Sequence, residues 1–229
     1  MPELSLRPPG RVKAGKRALT RPGGRVLRLR IGAAGEVWAV PLLADLVRLR
    51  DVLSCNKNLV DLLMVARELG LPQWYLTAGC VVQTVWNVLT GREAVAGIKD
   101  YDLFYFDGGD LSWGAEDRVI RTVADACQGL PVDVEVRNEA RVHLWYEAKF
   151  GVPCRAFAST EEAIDAFPAV CSCVGVRLER DGSWHFYAPH GLDDLFALVV
   201  RPNPVLAPRS VYERKAARWK RQWPELTLA

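Results

Sequence analysis

Two aspartates, Asp100 and Asp102, are separated by one residue at the start of an apolar run, IKDYDLFYFD. Alternate residues of a strand face the same side, so the two carboxylates share a face with their Cα atoms about 6.6 Å apart. Like charges at this distance repel unless a cation lies between them or one group stays protonated. A hard divalent ion such as Mg²⁺ meets this need. A lone Asp-x-Asp is more often a strand end whose acids face solvent, so the neighbouring elements decide between the two interpretations.

Two neighbouring elements add to the aspartate pair. Upstream, a buried strand over 73–77 turns at Gly79 into a helix, whose free amides and positive dipole end suit an anion. Downstream, the alternating run LPVDVEVRN predicts a strand with Asp133, Glu135 and Arg137 on its polar face. This order predicts a phosphate cradle beside three carboxylates. Such a set suits two metal ions and in-line displacement at phosphorus.

The order of these motifs resembles the polymerase-beta nucleotidyltransferase superfamily, which is marked by a glycine-containing turn, an Asp-x-Asp strand and a third acidic strand. More narrowly, four segments resemble a family of small bacterial nucleotidyltransferase-like proteins of largely undefined substrate: WYLTAGCVVQTVWNVLTG, IKDYDLFYFD, VEVRNEARVHLWYEAKFG and YAPHGLDDLFALVVRPNP. The resemblance covers about residues 40 to 224. It implies an α/β domain of the polymerase-beta type, with a small mixed sheet flanked by helices.

The resemblance also implies roles for the acidic residues. Asp100 and Asp102 are expected to hold two Mg²⁺ or Mn²⁺ ions, with Glu135 as the third carboxylate. Asp133 shares the strand face of Glu135 and stays an alternative for the third catalytic position.

Four further residues are expected to bind the nucleotide. By the resemblance, Gly79 and the amides after it, beginning at Cys80, hold the triphosphate. The superfamily turn usually has Gly-Gly or Gly-Ser, so Cys80 departs from it, and a contact there falls to the backbone because a thiol is a poor phosphate donor. Arg137 and Arg141 follow the third acid, where a cation can stabilise charge that develops during the reaction. For Arg137, a salt bridge to a neighbouring acid is the alternative.

The expected activity is metal-dependent transfer of a nucleoside monophosphate from an NTP to an acceptor hydroxyl, with release of pyrophosphate. The acceptor is not identified by the sequence, so a small molecule, a protein side chain and an RNA end all stay open. The alternative is a catalytically weak or inactive protein of the same fold that binds nucleotide or a partner. Cys80 in the turn is the feature that favours this alternative.

Charge and hydropathy divide the chain into two parts. Residues 1–33 contain nine Lys and Arg and one acid, although the whole chain has a net charge of only +3. We expect a disordered basic tail there, before one domain over 34–229; contact of the tail with nucleic-acid phosphates is the alternative. No apolar run approaches the roughly 18 residues of a membrane span, and no secretory signal pattern opens the chain. We therefore expect a cytoplasmic protein without membrane contact.

Local signals predict several element boundaries. Asn58 and Gly70 are expected to start and end a helix in NLVDLLMVARELG, and Ser112 to cap the helix after the Asp-x-Asp strand. Asp181 and Gly182 are expected to turn a β-hairpin. These elements provide the layers that position the carboxylates.

Overall fold

The computed structural model describes residues 11–13 and 41–229. Its strands are β1 (Arg11–Lys13), β2 (Tyr75–Thr77), β3 (Tyr101–Tyr105), β4 (Asp133–Asn138), β5 (Gly175–Leu178), β6 (Trp184–Tyr187), β7 (Val199–Val200) and β8 (Thr227–Leu228). Its α-helices are α1 (Pro41–Leu53), α2 (Lys57–Leu69), α3 (Gly79–Leu89), α4 (Trp113–Ala126), α5 (Tyr146–Phe150), α6 (Thr160–Asp165), α7 (Asp193–Phe196) and α8 (Arg209–Gln222). Two 3₁₀ helices, η1 (Glu139–Leu144) and η2 (Val170–Ser172), complete the described elements.

The described strands form a six-stranded sheet in the order β1-β4-β3-β2-β5-β6, together with a separate pair of β7 and β8. Strands β3 and β4 are parallel, and α4 connects them along the chain, as a parallel pair requires. Every other neighbouring pair in the large sheet is antiparallel. The predicted mixed sheet flanked by helices is confirmed.

The two faces of the sheet have different roles because strand residues alternate. On β3 and β4, Leu103, Val134 and Val136 are fully or almost fully buried and belong to the main hydrophobic core, which also contains buried residues of α1 to α4. The intervening residues of the same strands, Asp102 and Glu135 among them, face the opposite side. Burial of one face therefore fixes where the acids point.

The helix boundaries follow local capping chemistry. Helix α2 is capped by Asn56, whose side chain accepts a hydrogen bond from the Leu59 amide at 3.0 Å, so the prediction of Asn58 as the cap was wrong. Gly70 ends this helix as predicted, with a left-handed φ of 62° that glycine adopts without strain. The predicted cap of α4 is also confirmed, because the Ser112 hydroxyl accepts from Ala115 at 3.2 Å.

Three tryptophans join the last long helix to the centre of the molecule. Trp86 on α3 meets Trp219 on α8 edge-on, with ring centroids 5.1 Å apart, and Trp223 at 5.5 Å. The indole nitrogen of Trp223 donates to the Asn87 side chain at 2.9 Å. All three rings are fully buried or nearly so. Helix α8 is therefore attached to α3 by a large aromatic contact.

The basic N-terminal segment falls almost entirely outside the described residues. Within it, Arg11–Lys13 form the edge strand β1, which pairs antiparallel with β4. The expectation of a disordered tail over 1–33 otherwise concerns residues that the structure does not describe. Among the helices it does describe, none has the length and apolar character needed to cross a membrane.

Candidate active site

Strand register places two of the predicted carboxylates side by side. Asp102 of β3 pairs with Glu135 of the parallel strand β4, and neighbouring strands lie about 4.8 Å apart. Asp133 lies two positions earlier on β4, opposite Lys13 of β1, and borders a different cavity, of about 450 Å³. Asp100 directly precedes β3. Of the two candidates for the third carboxylate, Glu135 is therefore the one beside Asp102.

The surroundings of Asp102 disfavour its ionised form and raise its pKa. Burial, and then the negative charge of Glu135, raise the pKa of Asp102 to about 7. Asp100 raises this pKa further, whereas Lys215 and Arg137 lower it. Asp102 is thus under-neutralised by the protein alone, as expected for a group that binds a cation.

The turn before α3 brings backbone close to Asp102. A methyl group added at Gly79 would lie 3.9 Å from Oδ2 of Asp102 and only 2.9 Å from Nε2 of Gln83. The preceding residue, Ala78, has φ 55°, a conformation that L residues rarely adopt. The first amides of α3 are not bonded within the helix, because the helical ladder begins with the Val82 amide donating to Ala78 at 3.2 Å. This turn presents free N–H groups beside the acids.

Cys80 points away from this turn. Its side chain is completely buried in the main core, and its thiol donates to the Thr77 carbonyl oxygen at 3.2 Å. Burial raises the pKa of the thiol strongly, and Asp102 adds to the effect. Cys80 offers the site only its backbone amide. The positive φ of the turn is held by Ala78, the residue before the Gly79-Cys80 pair.

Arg137 faces the same pocket as the acids and forms a salt bridge with Glu135. Its guanidinium also lies over Trp145, 4.7 Å from the ring centroid, and over Phe104, at 5.8 Å. In this structure Arg137 therefore pairs with an acid of its own strand, which was the alternative to a phosphate contact. Because Arg137 lines the pocket, it is also placed to contact a bound anion.

Arg141 lies elsewhere. Its guanidinium pairs with Glu116 of α4, and its Nε donates to the Leu111 carbonyl oxygen at 3.0 Å. Glu116 also accepts from the Asn138 amide at 2.9 Å, so the pair links α4 to the end of β4. Both side chains are buried, and Arg141 is not among the residues that line the pocket. This geometry gives Arg141 a structural role.

Asp102, Glu135 and, from the turn, Ala78 border one pocket of about 760 Å³, whereas Asp100 and Gly79 are not among the residues that line it. We call this the active-site pocket; its acidic residues are Asp102, Glu135 and Glu139. The pocket's cationic residues come from β4, α5 and α8, and they are Arg137, Lys149, Arg214, Lys215, Arg218 and Arg221. Four of these six cations belong to α8. A pocket with a carboxylate pair and many cations suits a metal-bound polyphosphate.

Sequence reasoning missed Glu139 and the cations that α5 and α8 contribute, Lys215 among them. Lys215 lies close enough to Asp102 and Asp100 to act on their charges, and burial lowers the pKa of its ammonium group. It is more than 100 positions from β3 in the sequence, although the spacing of Arg214, Lys215, Arg218 and Arg221 on one side of a helix was a usable signal. Glu139 was overlooked because it follows the strand in which Glu135 was found.

Glu139 is unusual because one oxygen of its buried carboxyl group lacks a hydrogen-bond partner in the described part of the chain. The residue is 3% exposed, and Oε1 has no hydrogen-bond partner among the described residues. Burial raises its pKa to about 8; Arg137 opposes the shift, and Asp102 and Glu135 add to it. A buried acceptor without a donor is costly, so its presence in this pocket calls for an explanation.

A metal would find oxygen donors only. No group of three or more His, Cys, Asp or Glu residues in the described part of the chain is arranged to hold an ion. The adjacent carboxylates of Asp102 and Glu135, with the raised pKa of Asp102, nevertheless fit a hard divalent cation. Asp102 and Glu135 could hold such an ion together with a substrate's phosphate oxygens.

Comparisons with known proteins identify the family and a similar fold. A family model described as nucleotidyltransferase matches residues 64–228. A solved structure described as revealing a CCA-adding enzyme head domain has 24% identity and a TM-score of 0.59, over 76% of this chain and 90% of that one. A CCA-adding enzyme in complex with CTP has 10% identity and a TM-score of 0.46, over 79% of this chain and 43% of that one. No curated protein matches the chain.

The fold is therefore that of a polymerase-beta-type nucleotidyltransferase, as the sequence resemblance implied. Because the family model spans most of the chain, the protein belongs to the nucleotidyltransferase family. It is an enzyme of the transferase class.

Proposed function

We propose that the active-site pocket transfers a nucleoside monophosphate from an NTP to an acceptor hydroxyl, in a metal-dependent reaction that releases pyrophosphate. The observation that carries this proposal is the pairing of Asp102 with Glu135 across two parallel strands, close to the start of α3 at Gly79. Both acids line a pocket rimmed by cations, and so does Ala78, which precedes α3. The acceptor is a small molecule, a protein side chain or an RNA end.

The reaction needs little covalent chemistry from the protein. The acceptor oxygen forms a bond to the α-phosphorus, the bond between that phosphorus and the bridging oxygen to the β-phosphate breaks, and pyrophosphate leaves with the electron pair. The acceptor's proton passes to solvent. Bound divalent ions would lower the pKa of the acceptor hydroxyl and neutralise the triphosphate.

The residues of this chain position the triphosphate. The amides of Gly79 and Cys80 would donate to its oxygens at the start of α3, where the helix dipole favours negative charge. Asp100, Asp102 and Glu135 would hold the metal ions. Lys215 of α8, which lies near Asp102 and Asp100, would contact the phosphates. Catalysis is then mainly positioning and charge stabilisation.

Ligand-induced thermal stabilisation tests the proposed site. An NTP with Mg²⁺ or Mn²⁺ at about 100 times its Kd stabilises the folded state by about 2.7 kcal/mol, which raises Tm by several degrees. The double variant Asp100→Asn/Asp102→Asn should lose this shift, and so should Glu135→Gln. The matched control is Asp133→Asn, on the same strand but at a different cavity, which should keep the shift.

Turnover needs a second assay. NTP labelled at the α-phosphate is incubated with the enzyme and with separate small-molecule, protein and RNA fractions, and the label is followed. Transfer by the wild type but not by the double variant supports the enzyme. Metal-dependent binding with no transfer to any fraction supports the alternative, a protein of this fold that binds nucleotide without turnover. Absence of any nucleotide shift contradicts both.

A further inference from the structure

The active-site pocket extends well beyond the carboxylate pair. Asp102 and Glu135 lie at the end nearest α3, and the next residues on the same sheet face, Phe104 and Arg137, are paired in register with each other. Strand β4 then ends, and Glu139 begins η1 four positions after Glu135, which is about 10 Å or more along the chain. The pocket therefore has a polar end at α3 and a second end around η1.

The second end is aromatic. Its rings come from β3, η1 and the segments that follow, and they are Phe104, Trp145, Tyr146, Phe150, Phe157 and Phe167. Phe104 meets Phe167 edge-on at 5.9 Å, and Tyr146 lies 4.6 Å from Phe150. Arg137 and Lys149 lie over the Trp145 ring, so a bound base would share this end with two cations. Aromatic side chains stack on flat heteroaromatic rings with little preference for one base over another.

Glu139 adds polarity to this end. It lines the pocket, yet its Oε1 is buried and has no donor among the described residues. When it is ionised, the carboxylate only accepts, so the group that then satisfies Oε1 carries an N–H or O–H. A buried acceptor that gains a donor only from a ligand discriminates strongly against ligands that lack the donor.

We propose that the η1 end of the active-site pocket binds the nucleobase of the NTP, and that Glu139 accepts a hydrogen bond from the amino group of that base. This inference rests on the proposed function, since the phosphates at α3 direct the rest of the nucleotide towards η1. Adenine and cytosine present an amino group where hypoxanthine and uracil present a carbonyl oxygen. Ionised Glu139 therefore favours ATP over ITP and CTP over UTP.

The test compares nucleotides in these matched pairs. Affinities of the wild type for ATP, ITP, CTP and UTP are measured by calorimetry with Mg²⁺, at about pH 9, above the raised pKa of Glu139. We expect each amino-bearing nucleotide to bind at least about tenfold more tightly than its carbonyl counterpart. Tripolyphosphate with Mg²⁺ is the probe that lacks a base. This part of the test needs no variant, so it does not depend on a substitution folding.

The variant Glu139→Gln removes the distinction between amino and carbonyl groups, because a glutamine side chain can both accept and donate a hydrogen bond. We expect both affinity ratios to fall to within about threefold, while binding of tripolyphosphate stays unchanged. Equal affinities within each pair in the wild type overturn the inference, and so does a variant that weakens all four nucleotides equally. If tripolyphosphate and all nucleotides fail to bind, the proposed function fails and this inference fails with it.

Discussion

Replacing Glu139 by glutamine should stabilise the ligand-free protein at neutral pH. The folded state holds the pKa of this carboxyl at about 8, against 4.5 in a solvated reference, because the group is buried and near other acids. Each unit of pKa difference is worth about 1.36 kcal/mol, so the full effect is on the order of 4 to 5 kcal/mol. This is a large share of the roughly 5 to 15 kcal/mol that stabilises a typical domain.

The effect has a definite pH range. Below about pH 4.5 the carboxyl is protonated in both states, and the substitution should change little. As pH rises towards 8, the unfolded chain loses its proton while the folded protein keeps it, so the wild type loses stability that the variant retains. The advantage of Glu139→Gln should therefore grow by about 1.4 kcal/mol per pH unit and level off above about pH 8.

Urea unfolding at several pH values between about 5 and 9, with EDTA and without nucleotide, measures this difference. The matched control is Glu147→Gln, which replaces an exposed glutamate of α5 and should give a profile parallel to that of the wild type. The reasoning is refuted if the free energy of unfolding of Glu139→Gln changes with pH in parallel with that of the wild type, or if the variant is less stable at every pH. Glu139 would then not be a buried, unsatisfied carboxyl group.

Three further outcomes follow from the structure. Ala78→Gly should raise the free energy of unfolding by about 1 kcal/mol in urea, by relieving the positive φ. Arg141→Met should lower it by about 3 to 5 kcal/mol, because Glu116 is left buried without its partner; only a small loss would contradict this. Cys80→Ala should leave the NTP-induced Tm shift intact, since the thiol faces the core; loss of the shift would place the thiol at the site.

The sequence predicted the elements that carry short-range signals. The alternation of LPVDVEVRN gave β4 its buried and polar faces, and the Asp181-Gly182 turn of the β5–β6 hairpin is confirmed. Positions 56 and 58 are both asparagine, so the local sequence did not distinguish them, and the prediction chose Asn58 where Asn56 caps α2. A choice of that kind depends on backbone geometry that local sequence does not determine.

The site depended more on long-range structure. Alternation makes Asp133 and Glu135 equivalent, and only the register of β4 against β3 places Glu135 beside Asp102. Lys215 reaches the acids through the packing of α8 on α3, which no local pattern describes. The predicted catalytic motif was therefore recognisable, whereas the surrounding cations and Glu139 required the fold.

The contact of Trp86 with Trp219 and Trp223 has a consequence for how the enzyme is made. The turn at Gly79 and the acids of β3 and β4 belong to the middle of the chain, but the α8 wall of the same pocket is synthesised about 100 residues later. On the ribosome, a nascent chain can form the sheet and still have an open, incomplete pocket until the two late tryptophans dock on α3. Contacts this distant in sequence form slowly. Tryptophan fluorescence during refolding should therefore report the step at which the enzyme first becomes able to bind its nucleotide.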